Sequence, residues 1–171
     1  MQLISSVTVG AGGSTSIAFN SIPQTFTDLV LVSSTRTGGS DGSISLRFNG
    51  SASTYAARFL YGTGTSALSG TTTFAAVGKA NASGTTANTF ANSVAYIPNY
   101  TGSSTKLVNV DYVSENNGAA AFQFLVINSW DGTAAITSMA LTTPNDVAGF
   151  SQHSTFYLYG ITKGSGGATV S

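Results

Sequence analysis

Short runs in which apolar and polar residues alternate, each closed by Gly, Asn or Asp, extend through almost the whole chain. Successive side chains of a strand project to opposite faces, so a period of two specifies β-strands rather than helix turns. In residues 43–48, Ile44, Leu46 and Phe48 share one face while Ser43, Ser45 and Arg47 share the other. In residues 107–113, Val108, Val110 and Tyr112 oppose Asn109 and Asp111. Near the C-terminus, Phe156 and Leu158 oppose Tyr157, Tyr159 and Ile161. Residues 121–128 differ. Phe122, Phe124 and Val126 occupy one face but Leu125 and Ile127 occupy the other, so this strand is expected to be buried on both sides. Further strands are expected at 3–9, 15–19, 26–33, 55–61, 72–77, 90–97 and 134–141, about eleven in all.

Turn-forming clusters separate these runs: Gly10-Ala11-Gly12-Gly13, Gly38-Gly39-Ser40-Asp41-Gly42, Asn99-Tyr100-Thr101-Gly102, Glu115-Asn116-Asn117-Gly118 and Asp131-Gly132. Asn117-Gly118 and Asp131-Gly132 fit hairpin turns, because Gly and Asn accept positive φ at little cost. Helix formers are scarce, with one Glu and three Lys in 171 residues. Many short strands with glycine-rich turns predict an all-β fold, an antiparallel β-sandwich or jelly roll with long Gly/Ser/Thr-rich loops. Residues 62–70 and 78–87, small and nearly uncharged, are expected to be such loops at one end of the sandwich, where binding surfaces often lie. The expected organisation is a single domain over 1–163 followed by a flexible tail at 164–171. A chain of this length buries a core without disulfides or metal.

Charge narrows the function classes. Six Lys+Arg and six Asp+Glu give a net charge of zero, and only 7% of residues are charged, against about 25% in ordinary soluble domains. Surface polarity rests instead on 25 Ser and 24 Thr. Arg36, Arg47, Arg58, Lys79, Lys106 and Lys163 stand singly, which speaks against nucleic acid, since phosphate neutralisation needs clustered cations. The longest apolar stretch is about a strand long, short of the roughly 20 residues of a membrane-crossing helix. The opening Met1-Gln2-Leu3-Ile4 enters strand alternation directly, without the basic and apolar regions of a secretory signal. No cysteine is present, so there is no disulfide framework and the redox compartment stays open. The sequons at Asn49, Asn81 and Asn99 are incidental in so Asn-, Ser- and Thr-rich a chain.

Chemical motifs are sparse, and each has a plainer reading. Gly38-Gly39-Ser40-Asp41-Gly42 matches the G-x-S-x-G elbow, with His153 available downstream. An elbow needs a helix after the serine, whereas residues 43–48 alternate as a strand, so a hairpin loop is expected. Ser103-Ser104-Thr105-Lys106 matches S-x-x-K, but a strand follows it at once. Lys106 is expected to be an exposed edge charge that discourages strand pairing. His153, the only histidine, cannot build a zinc site alone and is expected to make a structural hydrogen bond or sit in an interface. Asp28, Asp41, Asp111, Glu115, Asp131 and Asp146 fall in different segments, with neither a glycosidase pair nor calcium-loop spacing among them. The loop acids Asp41, Asp131 and Asp146 are expected to be solvated turn residues rather than calcium ligands, and Asp111, within a strand, to pair with a nearby Arg or Lys. Trp130, Tyr157 and Tyr159 are candidates for a sugar-stacking platform, although most aromatics must be core. No catalytic, metal-binding or cofactor-binding residue emerges, and no cofactor is expected.

A set of segments running through nearly the whole chain resembles virion proteins of tailed bacteriophages, particularly phages of cyanobacteria and other aquatic bacteria. They are Ile4-Ser5-Ser6-Val7-Thr8-Val9, Ile22-Pro23-Gln24-Thr25-Phe26-Thr27-Asp28-Leu29, Leu46-Arg47-Phe48-Asn49-Gly50, Tyr55 with Arg58, and Leu60-Tyr61-Gly62. Tyr96-Ile97-Pro98-Asn99-Tyr100, Ser114-Glu115-Asn116-Asn117, Ala134-Ala135-Ile136-Thr137-Ser138 and Leu158-Tyr159-Gly160-Ile161 follow in order. The resemblance implies a non-enzymatic β-sandwich module, used either as a capsid decoration (cement) protein or as a terminal domain of a fibre. It supplies no catalytic residues. The absence of an anchor segment before the first strand, and of fibre-shaft heptads, favours the decoration reading. The expected protein is then a homotrimer clamping the major capsid protein on the outer surface of a virion assembled in the host cytoplasm. Low surface charge suits this, since burying an unpaired charge is costly. The alternative is a receptor- or carbohydrate-binding module, with a glycan as partner.

Overall fold

The computed structural model of the protein describes residues 1–40, 42–51, 54–73, 75–114, 122–143 and 148–162. Twelve strands occur in the order β1 (Gln2–Thr8), β2 (Ser16–Phe19), β3 (Asp28–Thr35), β4 (Ser43–Phe48), β5 (Tyr55–Gly62), β6 (Ala67–Thr72), β7 (Ala75–Lys79), β8 (Ala91–Ile97), β9 (Lys106–Ser114), β10 (Phe122–Trp130), β11 (Met139–Thr142) and β12 (Thr155–Ile161). The described residues contain no helix. The fold is all-β, as the alternation specifies.

The strands form two antiparallel sheets. The larger has the order β1-β12-β3-β8-β9-β10-β5-β6 and the smaller β2-β11-β4-β7. One hydrophobic cluster draws on both: Leu29, Leu31, Ile97, Val108, Val126 and Phe156 from the large sheet, and Ile17, Phe19, Leu46, Phe48, Val77 and Leu141 from the small one. The inward residues are those that alternation assigns. Phe156 and Leu158 are fully buried while Tyr157 and Tyr159 are half-buried on the opposite face. Ladder pairing satisfies the backbone polar groups of the inner strands of both sheets, so the buried cluster needs few polar partners of its own.

Four expectations are corrected. Residues 67–70, within the expected loop 62–70, belong to β6 (Ala67–Thr72), the outermost strand beside β5. Gly70 misleads as a breaker, but it is required here because the Phe59 ring lies where a Cβ would sit. The strand expected at 72–77 spans the connection between β6 and β7, and these lie in different sheets. Of 134–141, only Met139 onward is strand. Asp131-Gly132 is not a hairpin turn, because β10 lies in the large sheet and β11 pairs with β2 and β4 in the small one. Gly132 serves another need: the Trp130 indole packs over its Cα. The Glu115–Gly118 turn, Asp41, Asp146 and the 164–171 tail lie outside the described residues.

Candidate functional site

The residues singled out for chemistry do not converge. Ser40 is exposed at the end of a bend and β4 begins at Ser43, so no helix follows it. His153 is exposed with φ of 70°, and its backbone N–H donates to the Val9 carbonyl at 2.9 Å. Neither side chain has a hydrogen-bond partner among the described residues, which also contain no group of three His, Cys, Asp or Glu. The sequon amides of Asn49 and Asn81 are engaged internally. Asn49 donates to the Ala135 carbonyl (2.9 Å), and the buried Asn81 donates to Thr89 Oγ1 (2.8 Å).

Lys106 is not an edge charge. It opens β9 in the middle of the large sheet, points inward and is 1% exposed. Its ammonium donates to the carbonyls of Gly102 (2.6 Å), Ser104 (2.6 Å) and Thr133 (3.3 Å), and burial lowers its pKa. Arg36 acts in a similar way. Nη1 donates to Thr85 Oγ1 and to the carbonyls of Thr86 (2.9 Å) and Thr89 (3.1 Å), while Nη2 reaches the carbonyls of Ser83 and Thr85, both at 3.1 Å. The loop expected after residue 78 is therefore a loop held on a guanidinium. Asp28, at the start of β3, accepts from the Tyr96 hydroxyl (2.9 Å) and the Asn99 N–H (2.8 Å). Trp130, 4% exposed, lies in the core against Phe48 (centroids 5.5 Å) and Tyr55 (6.5 Å), so it offers no sugar platform.

One surface does stand out: the outer face of the large sheet, opposite the core. Antiparallel registers align its side chains in rows across the strands. One row runs Tyr159, Val30, Tyr96, Asn109, Ile127 and Arg58. The adjacent row runs Tyr157, Val32, Val94, Asp111, Leu125 and Leu60. Leu125 and Ile127, expected to be buried, are 51% and 56% exposed, and Leu60, Val94, Leu107 and Val113 on the same face are exposed too. The small sheet covers only the other face of β10, which is why apolar residues on both faces of that strand did not yield burial on both. An open groove of about 950 Å³ lies here, lined by Leu60, Val94, Leu125, Ile127, Arg58 and Asp111 among others.

Arg58 and Asp111 are the only charges in these two rows, and they flank β10 on either side. The expected ion pair at Asp111 is not made. Asp111 is exposed and has no hydrogen-bond or ion-pair partner among the described residues, and Arg58 reaches only its neighbouring Ala57 carbonyl at 3.3 Å. Tyr157 and Tyr159 lie along β12 at the far side of the face, ring centroids 6.5 Å apart and 25° between planes. The alternation contains this surface, since Leu107, Leu125 and Ile127 fall at outward positions. Comparison with protein-family models, curated proteins and solved structures gives no match.

Proposed function

We propose that this protein is a non-catalytic adhesive module, a β-sandwich of the jelly-roll kind that works by holding other protein. The observation that carries this is the outer face of the large sheet, where six large aliphatic side chains are exposed together and the described charges are three: Arg58, Asp111 and the hydrogen-bonded Asp28. Scattered surface leucines are ordinary, but a contiguous apolar face is the mark of an interaction surface. Aliphatic side chains with little fixed charge suit a protein neighbour better than a polar ligand, because contact releases water from apolar surface and strands few charges.

Among adhesive modules, resemblance to tailed-phage virion proteins supports the reading as a capsid decoration protein that adds contact area between shell subunits. Such contacts, repeated over a shell, would oppose the internal pressure of packaged DNA. Particles with and without the chain would be heated and DNA release followed by dye fluorescence. Release at lower temperature from particles lacking it is the expected result, and identical release profiles would refute the cementing role.

A second reading, a carbohydrate-binding module, draws on one observation: the stacked, half-buried Tyr157–Tyr159 pair on the same face. Aromatic faces that stack a sugar ring would serve it. Glycan-array binding abolished by Tyr157→Ala and Tyr159→Ala would favour this reading over the first.

A further inference from the structure

We infer that the occupant of the outer face is the same face of a second copy of this chain, packed sheet on sheet about a two-fold axis. The inference rests on the adhesive reading proposed above and names the partner of this face as a second copy, which leaves contact with a shell to the remaining surface of the pair. Three observations carry it.

The first is the pattern of β10. Apolar residues on both faces are the signature of a strand sandwiched between layers, yet the described residues supply a layer to only one side. A second sheet at the usual separation of about 10 Å would complete it.

Area is the second. The apolar part of the face spans six strands, β12 to β5, and the length from Leu107 to Val113. With strands about 4.8 Å apart and a rise of about 3.4 Å, this is roughly 29 Å by 20 Å, or roughly 600 Å² before side-chain relief is counted. Standard stable interfaces bury about 800 Å² per partner. The face is thus of the size that a dimer needs.

Charge is the third and selects the partner. A foreign apolar surface would leave both Arg58 and Asp111 desolvated without a counter-charge, which is costly. A second copy does not. The two residues sit diagonally across β10, Arg58 opposite Ile127 on one side and Asp111 opposite Leu125 on the other. A two-fold axis lying in the interface, at right angles to the line joining them, brings each Arg58 onto the partner's Asp111. Both ion pairs then close around a centre of leucine and isoleucine, and the contact is self-complementary, as two-fold interfaces must be. The face's third charge, Asp28, is already engaged by the Tyr96 hydroxyl and the Asn99 N–H, so Arg58 and Asp111 are the two described charges that a partner must answer.

Sedimentation equilibrium of the full chain at micromolar concentrations tests this. A reversible dimer is expected. Leu125→Arg should weaken it by at least about 100-fold, since it buries an unpaired charge at the centre. Arg58→Asp and Asp111→Arg should each weaken it by about 10-fold, and the double reversal should recover affinity to within about threefold of the original. Thermal unfolding of each variant checks that the fold is kept. Should Leu125→Arg fail to fold, Leu60→Gln on the same face replaces it. A wild-type monomer, an oligomer of any order that ignores these substitutions, or failure of the double reversal to recover would each overturn the inference. Adhesion to shells is read separately. A monomer whose binding to shells is nonetheless abolished by Leu125→Arg would sink self-pairing and leave the adhesive reading standing.

Discussion

Lys106 and Arg36 show two of the chain's few cations doing the work of fixed metal ions. Each spreads its charge over backbone carbonyls of neighbouring loops, three for Lys106 and four for Arg36. Charge-assisted hydrogen bonds of this kind are worth more than neutral ones, and the carbonyls would otherwise be partly stranded away from water. Lys106→Met keeps the apolar stem and removes the ammonium, so it should destabilise the protein by about 3 kcal/mol in urea denaturation. Lys79→Met, at an exposed position, should change stability by no more than about 0.5 kcal/mol. Arg36→Lys keeps the charge but loses the planar fork. Faster amide exchange confined to residues 83–89 is the expected result, read by hydrogen–deuterium exchange. Sequence could not place Lys106: a lysine at the start of a strand looks the same whether that strand is an edge or the centre of a sheet, and only the pairing of β9 between β8 and β10 decides it.

At the level of strands, local periodicity made β3, β4, β5, β8, β9, β10 and β12 legible, because each is long enough for the apolar side to declare itself. Failures came where tertiary packing overrides a local signal. Gly70 reads as a breaker but lies beneath Phe59, and Gly132 reads as a turn but lies beneath Trp130. Pairing partners were not legible either, since alternation gives a strand its faces and not its neighbours. The same limit explains β10, whose two apolar faces signalled burial without saying whose atoms would cover the second. Substitutions along this strand separate the two faces. Val126→Ala, in the core, should cost about 2 kcal/mol from lost burial and a residual cavity. Leu125→Ser and Ile127→Ser, one residue to either side, should each shift monomer stability by no more than about 0.5 kcal/mol. Urea unfolding at concentrations too low for association measures both. A large loss at Leu125 or Ile127 under those conditions would mean that the outer face already has an intramolecular cover.

Across the whole molecule, scarcity of acids and bases leaves the tyrosines to govern how stability responds to alkali. Four of them, Tyr55, Tyr96, Tyr100 and Tyr112, have pKa values raised above the usual 10.0. Burial is the leading cause for Tyr55, Tyr100 and Tyr112, and the hydrogen bond to Asp28 for Tyr96. Tyr112 is the strongest case: its ring is buried and stacks on Phe124 at 4.4 Å, where a phenolate would have little water. In the unfolded chain these hydroxyls ionise near pH 10 while the folded protein keeps them protonated. The folded state then binds more protons than the unfolded one, so stability is intact below pH 10 and falls as pH rises beyond it. Tyr112 alone contributes a slope of up to about 1.4 kcal/mol per pH unit. Lys106 has the opposite sign. Its lowered pKa means that the unfolded chain holds the extra proton, so stability rises with pH between the folded value and the usual 10.5. The Lys106 contribution therefore rises with pH up to the usual 10.5, and the tyrosine contribution falls as pH passes 10. Tyr112→Phe should flatten the falling limb and Lys106→Met should remove the rising one, in urea titrations across that range. A falling limb left unchanged by Tyr112→Phe would mean that phenol burial is not what alkali attacks.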